Sequence, residues 1–165
     1  MKDFDWTSFT QRIAIKATVE DAYNAWTTTQ GIQEWFLSAS VFTDKDGNVI
    51  PVKENVTKGT NYAWNWFLYE PTESGKVTAA NGVDFFQFTF AGDCLVDIRL
   101  KQVDECVVVE LKQHNIPTDE HSMRDIRLGC AGGWAFYLVN LKSVLEGGLD
   151  LRNKDERFMP PMLNS

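Results

Sequence analysis

HSMRDIRLGCAGGWAFYLVNLKSVLE, residues 121–146, sets Met123, Ile126, Cys130, Trp134, Tyr137, Leu138, Leu141, Val144 and Leu145 three or four positions apart. That is the repeat of one long helix, His121 to Glu146, with a continuous buried stripe. Gly147 and Gly148 supply its C-terminal stop. Gly129, Gly132 and Gly133 run against helix propensity, each by about 1 kcal/mol relative to alanine. Three of them so close together point to a tight backbone approach, a bend, or room left for something else. Upstream, Ile116-Pro117-Thr118 ends the preceding structure, because proline donates no ladder hydrogen bond and disfavours helix in the residue before it.

Working back from the helix, Ala39 to Ile116 reads as strand after strand, with turn chemistry at Asp46-Gly47, Lys58-Gly59, Ser74-Gly75, Asn81-Gly82 and Gly92-Asp93. Tyr62, Trp64, Trp66 and Leu68 share one strand face. Val96, Ile98 and Leu100 alternate with Asp97, Arg99 and Lys101, and Val107, Val109 and Leu111 with Cys106, Val108, Glu110 and Lys112. One face of the sheet is therefore covered and the other wet. Nearer the N-terminus, Arg12 to Ala17 alternates as a first strand with Ile13, Ile15 and Ala17 on one side. Thr18 is placed to cap a helix, with Asp21 three residues on and Glu20 in its first turn. Ala22, Tyr23, Ala25 and Trp26 follow at helical spacing; Thr27-Thr28-Thr29 and Gly31 interrupt before Ile32, Trp35 and Phe36 mark a second short helix. The order predicts an α+β architecture: a curved antiparallel sheet wrapped around a long C-terminal helix, with two short helices after the first strand. Residues 1–152 read as a single domain and 153–165 as a tail, loose or strapped across the domain or a partner, carrying Phe158, Met159, Met162 and Leu163 around Pro160-Pro161.

Composition narrows the functional classes. A chain of 165 residues buries roughly 70% of its unfolded surface on folding and needs no staple. A net charge of −7, without a Lys/Arg cluster, argues against nucleic acid as a partner. Met1 to Trp6 has acidic residues where a leader needs a basic and then an apolar region, and no apolar run reaches membrane-span length, so the chain reads as cytoplasmic without a membrane span. Cys94, Cys106 and Cys130 are far apart and never in a C-x-x-C pair, as expected of reduced packing residues.

The aromatics carry the functional reading. Trp35, Phe36, Trp64, Trp66, Phe86, Phe88, Trp134 and Tyr137 come from sheet and helices toward one interior, and an apolar concave wall with few polar groups is how small-molecule sites are built. These eight are the cavity candidates for a small apolar or amphipathic ligand. The alternative is that aromatics simply fill the core. No catalytic residue set, metal site or cofactor motif emerges: H-E-x-x-H, G-x-S-x-G, the P-loop and G-x-G-x-x-G are all missing. His114 and His121, with Asp119 and Glu120 between them, read as a solvated loop. Asp44-Lys45-Asp46-Gly47 reads as a hairpin turn, because it lacks the later Glu and the flanking helices of a calcium loop. An enzyme would have to use Asp97, Glu110 or His114, of which alternation puts Asp97 and Glu110 on the wet face.

The stretch Ile13 to Thr28, with its Tyr23-Asn24-Ala25-Trp26-Thr27 core, followed by Trp35-Phe36, resembles the opening of the family called activator of heat-shock chaperone ATPase homologue, C-terminal-like. Gly133-Trp134, Leu138, Leu141-Lys142 and Leu145-Glu146-Gly147-Gly148 resemble its closing helix. Gly59-Thr60-Asn61-Tyr62 and Gly75-Lys76-Val77 lie where the family has glycine-containing turns and strands, so the likeness runs from about Arg12 to Arg152. It implies the helix-grip fold of the Bet v 1/START-like (SRPBCC) superfamily, many of whose members hold apolar ligands in a cavity while some are cyclases or hydrolases. It also implies, as an alternative, a chaperone as partner; separately, the apolar groups of the tail point to a homodimer through Phe158–Leu163, since contiguous apolar surface marks a contact. The separate N-terminal chaperone-binding domain of the family's co-chaperones has no counterpart in the sequence.

Overall fold

The computed structural model describes residues 4–165, so Met1 to Asp3, the start of the run read as unlike a leader, fall outside it. Seven strands, β1 Phe9–Ile15, β2 Ala39–Thr43, β3 Asn61–Trp66, β4 Tyr69–Ala80, β5 Phe85–Thr89, β6 Leu95–Val103 and β7 Cys106–His114, form one antiparallel sheet in the order β1-β7-β6-β5-β4-β3-β2. Helices α1 Val19–Thr27 and α2 Thr29–Trp35 follow β1, and α3 Gly129–Leu145 lies in the grip of the sheet. This is the helix-grip architecture that the pattern predicts.

Local chemistry sets the helix boundaries. Thr18 Oγ1 accepts from the Asp21 N–H at 3.0 Å and the Thr18 N–H donates back to Asp21 Oδ2 at 3.4 Å, a reciprocal capping box. Thr28 ends α1 and caps α2, its Oγ1 accepting from Gly31 N–H at 2.9 Å. Gly31 lies inside α2 rather than between the helices. A Cβ there would stand 2.8 Å from Ala25 Cα and collide with the Asn24 carbonyl, so glycine permits the close turn.

Three expectations need correction. Ser74-Gly75 is not a turn but the middle of β4, because a Cβ at Gly75 would sit 2.5 Å from the Tyr62 hydroxyl. Glycine is there for close approach of that ring. Leu68 is not in a strand: with Phe67 it forms the two-residue turn between β3 and β4, at φ 60°. The helix from His121 is not α-helical throughout, since Ser122–Leu128 is a π-helical segment whose wider turn leads into α3. A Cβ at Gly132 or Gly133 would meet nothing within 4 Å, so these glycines mark open space rather than tight approach.

The end of the domain is anchored to α2 just before the tail begins. Arg152, whose side chain is only 4% exposed, donates to the carbonyls of Gln33, Glu34 and Leu37 at 2.9–3.0 Å and pairs with Asp150 at 2.8 Å. It thereby satisfies carbonyls that α2 leaves open. Beyond it, Asn153 N–H donates to the Asn164 carbonyl at 2.7 Å and Asn164 Nδ2 to the Leu151 carbonyl at 2.9 Å, closing the tail on itself.

Candidate functional site

The aromatic interior divides in two. Trp35, Trp64, Phe86 and Phe88 are buried in the core. Trp64 lies 5.3 Å from Phe88 and 5.7 Å from Phe36, and Trp35 lies 4.6 Å from Trp26. The middle of the grip is thus filled by side chains, as the packing alternative expects. Phe36, Trp134 and Tyr137, buried as well, and the half-buried Trp66 also line a cleft of about 420 Å³ between the β3–β4 end of the sheet and α3.

Each wall has a sequence cause. Trp66 ends β3 beside a break in register between Trp64 and Trp66, and its ring sits 5.4 Å from Phe36 and 6.3 Å from Phe90. Trp134 is oriented by its Nε1–H, which donates to Gln113 Oε1 at 3.0 Å, and it packs 5.0 Å from Phe36 and 5.1 Å from Phe90. On the helix side Gly129 and Gly133 expose backbone where side chains would fill the space. The glycines that weaken the helix are what keep the cleft open.

Polar groups are few. Glu73 and Asp125 reach the cleft from opposite walls. Asp125 is matched by Arg124 and His121, both at 2.7 Å. Burial pushes the Cys130 thiol up to about 11, and the Tyr137 hydroxyl up to about 12. Both stay protonated at neutral pH, so neither is an activated nucleophile. Among the described residues no group of three His, Cys, Asp or Glu could hold a metal ion. A second, more polar hollow of about 600 Å³ lies between α1, α2 and the end of α3, with Asp21, Glu34 and Lys53 at its rim.

The residues considered for an enzyme lie elsewhere. Asp97 is well buried but stands opposite the core-facing positions of β6, accepting from Gln87 Nε2 at 2.7 Å and facing His114 Nε2 at 3.1 Å. Glu110 pairs with Arg12 at 2.6 Å. None of the three lines the cleft. Asp44 closes a hairpin turn, its Oδ1 accepting from the N–H groups of Asp46 and Asn48 at 2.8 and 2.9 Å.

Sequence reasoning missed Tyr69, Glu73 and Phe90. Phe90 was legible, since it continues the alternation of Phe86 and Phe88. Glu73 was hidden because reading Ser74-Gly75 as a turn cuts β4 in two and loses its register.

Comparison with known proteins agrees with this architecture. Residues 16–146 match the model of the family described as activator of Hsp90 ATPase homolog 1-like protein. None of the curated proteins matches the sequence. Among solved structures, a Staphylococcus saprophyticus protein is 18% identical with TM-score 0.69, covering 88% of this chain and 96% of its own. The Aha1 dimer of Colwellia psychrerythraea is 23% identical with TM-score 0.63, covering 86% and 97%. CalU16 from Micromonospora echinospora is 19% identical with TM-score 0.61, covering 85% and 76%. At these identities the likeness concerns the fold.

Proposed function

The chain belongs to the activator of Hsp90 ATPase homolog 1-like family, and from that premise and the cleft together we propose that it binds a small apolar or amphipathic molecule without transforming it. One observation carries the reading: a cleft of about 420 Å³, walled by Phe36, Trp66, Phe90, Trp134 and Tyr137, stays open beside a core packed with the same residue types. Concave aromatic walls with a small number of polar groups suit ligand capture. Asp97, Glu110 and His114, the residues considered for acid–base chemistry, lie outside the cleft. Three free thiols fit a reducing, cytoplasmic setting, and no described helix is long and apolar enough to cross a membrane.

Native mass spectrometry of freshly purified protein tests the proposal, followed by titration of a ligand panel against intrinsic fluorescence. A co-purifying species, or quenching that Trp66→Phe diminishes, is the expected result. A bare chain that no lipid, sterol or aromatic compound quenches or stabilises would sink it.

A homodimer is a second reading, favoured by the dimeric Colwellia protein and by Phe158, Met159, Met162 and Leu163, each 42–90% exposed on the tail. Light scattering on the full chain and on a Phe158→Asp/Leu163→Asp double variant decides it. Identical monomer masses for both would remove the dimer.

A further inference from the structure

The register of β3 and β4 sets Glu73 directly opposite Trp64. Opposed residues of an antiparallel pair share a face, so Glu73 stands on the concave, aromatic side of the sheet. Along the described strands the other positions on that side are apolar, glycine or uncharged polar, such as Gln11, Ser40 and Gln113. A carboxylate is uncommon on such a face, and Glu73 is half-buried there. Glu73 Oε1 accepts from the Ala91 N–H at 2.8 Å. Among the described residues no Lys, Arg or His forms an ion pair with it.

Its surroundings reinforce that negative charge. Among the described residues no cationic side chain lines the cleft, and Asp125, the other carboxylate side chain there, is already matched by Arg124 and His121. The field of Glu73 adds to the burial that raises the Tyr62 phenol and the Cys130 thiol. Trp66, Tyr69, Phe90 and Trp134 complete the walls, and aromatic faces carry negative partial charge that attracts a desolvated cation.

We infer that the ligand is a small amphipathic cation, a quaternary or protonated amine on an apolar body, with its charge beside Glu73 and the aromatic rings. This rests on reading the cleft as a ligand site. A carboxylate ligand would meet Glu73 with like charge, and a neutral one would leave Glu73 with the Ala91 N–H but without a counter-charge.

Calorimetric titration of the full chain with three probes sharing one apolar body tests it: 4-phenylbutyltrimethylammonium, 4-phenylbutanol and 4-phenylbutyrate. The cation is expected to bind about tenfold more tightly than the alcohol, with the carboxylate weakest, and added salt should weaken only the cation. Glu73→Gln, which keeps an acceptor for Ala91 N–H, should remove most of the cation's advantage over the alcohol. Equal or tighter binding of the alcohol or carboxylate to the unaltered protein would overturn the charge assignment while sparing the cleft as a site. Binding of none of the three would count against both. A cation advantage that survives Glu73→Gln at unchanged thermal stability would overturn the role of Glu73.

Discussion

The two ends of the grip use the same residue types to opposite effect. Beneath α2, Trp26, Trp35, Trp64 and Phe88 are fully buried and meet edge-on or tilted at 4.6–6.4 Å. At the β3–β4 end, Trp66 and Phe90 face a helix surface of Gly129 and Gly133, and the space between stays open. Aromatic abundance therefore does not make a cavity. What decides is whether a second layer of side chains covers the wall.

The sharpest way to break that comparison is to truncate one tryptophan from each end. Trp64→Ala should lose about 3–5 kcal/mol in denaturant unfolding, as a full core truncation does. Trp66→Ala, on the cleft wall, should lose only about 1–2 kcal/mol, in proportion to its smaller buried apolar surface. Equal losses would mean that the cleft is as tightly packed as the core.

Next in size is the strap that closes the α2 end. Arg152→Ala leaves three carbonyls without this donor and takes the guanidinium from Asp150, which keeps Lys154 and Asn140, and losing one partner of such a pair costs about 3 kcal/mol. The same pair governs the acid response. Burial raises the Asp150 carboxyl, but hydrogen bonds from Arg152 and Lys154 outweigh it and hold the group well below the ordinary carboxylate range. A depressed folded-state value means stability that is complete above about pH 4 and is lost as the pH falls toward the folded-state value. Acid unfolding should therefore begin below about pH 4 and be shallower in Arg152→Ala.

The smallest effect has the opposite sign. Gly133→Ala should stabilise by up to about 1 kcal/mol from helix propensity, because the added Cβ meets no other atom. Gly133→Leu should keep the fold and weaken ligand binding by filling the cleft. A destabilised Gly133→Ala protein would show that the helix is closer to the sheet than this geometry allows.

Legibility followed the range of the interactions. The capping box at Thr18–Asp21, the short helices and the alternation of β6 and β7 depend on neighbours a few residues apart, and each could be read directly. Gly75 could not, because its reason is the Tyr62 ring on the neighbouring strand. Losing it hid Glu73, the charged group of the cleft. Arg152 was equally opaque, since its partners lie more than a hundred residues away in sequence. Of the eight candidate aromatics, alternation and helical spacing chose the inward side but could not separate wall from filling.

By itself, the amino-acid sequence determined the sheet-then-helix order, the inward aromatic face and the family. These follow from periodicity and capping, which act locally along the chain. Only the tertiary structure decided that the grip is filled at one end and open at the other. That outcome depends on which side chain, or which glycine, each aromatic meets across the layers.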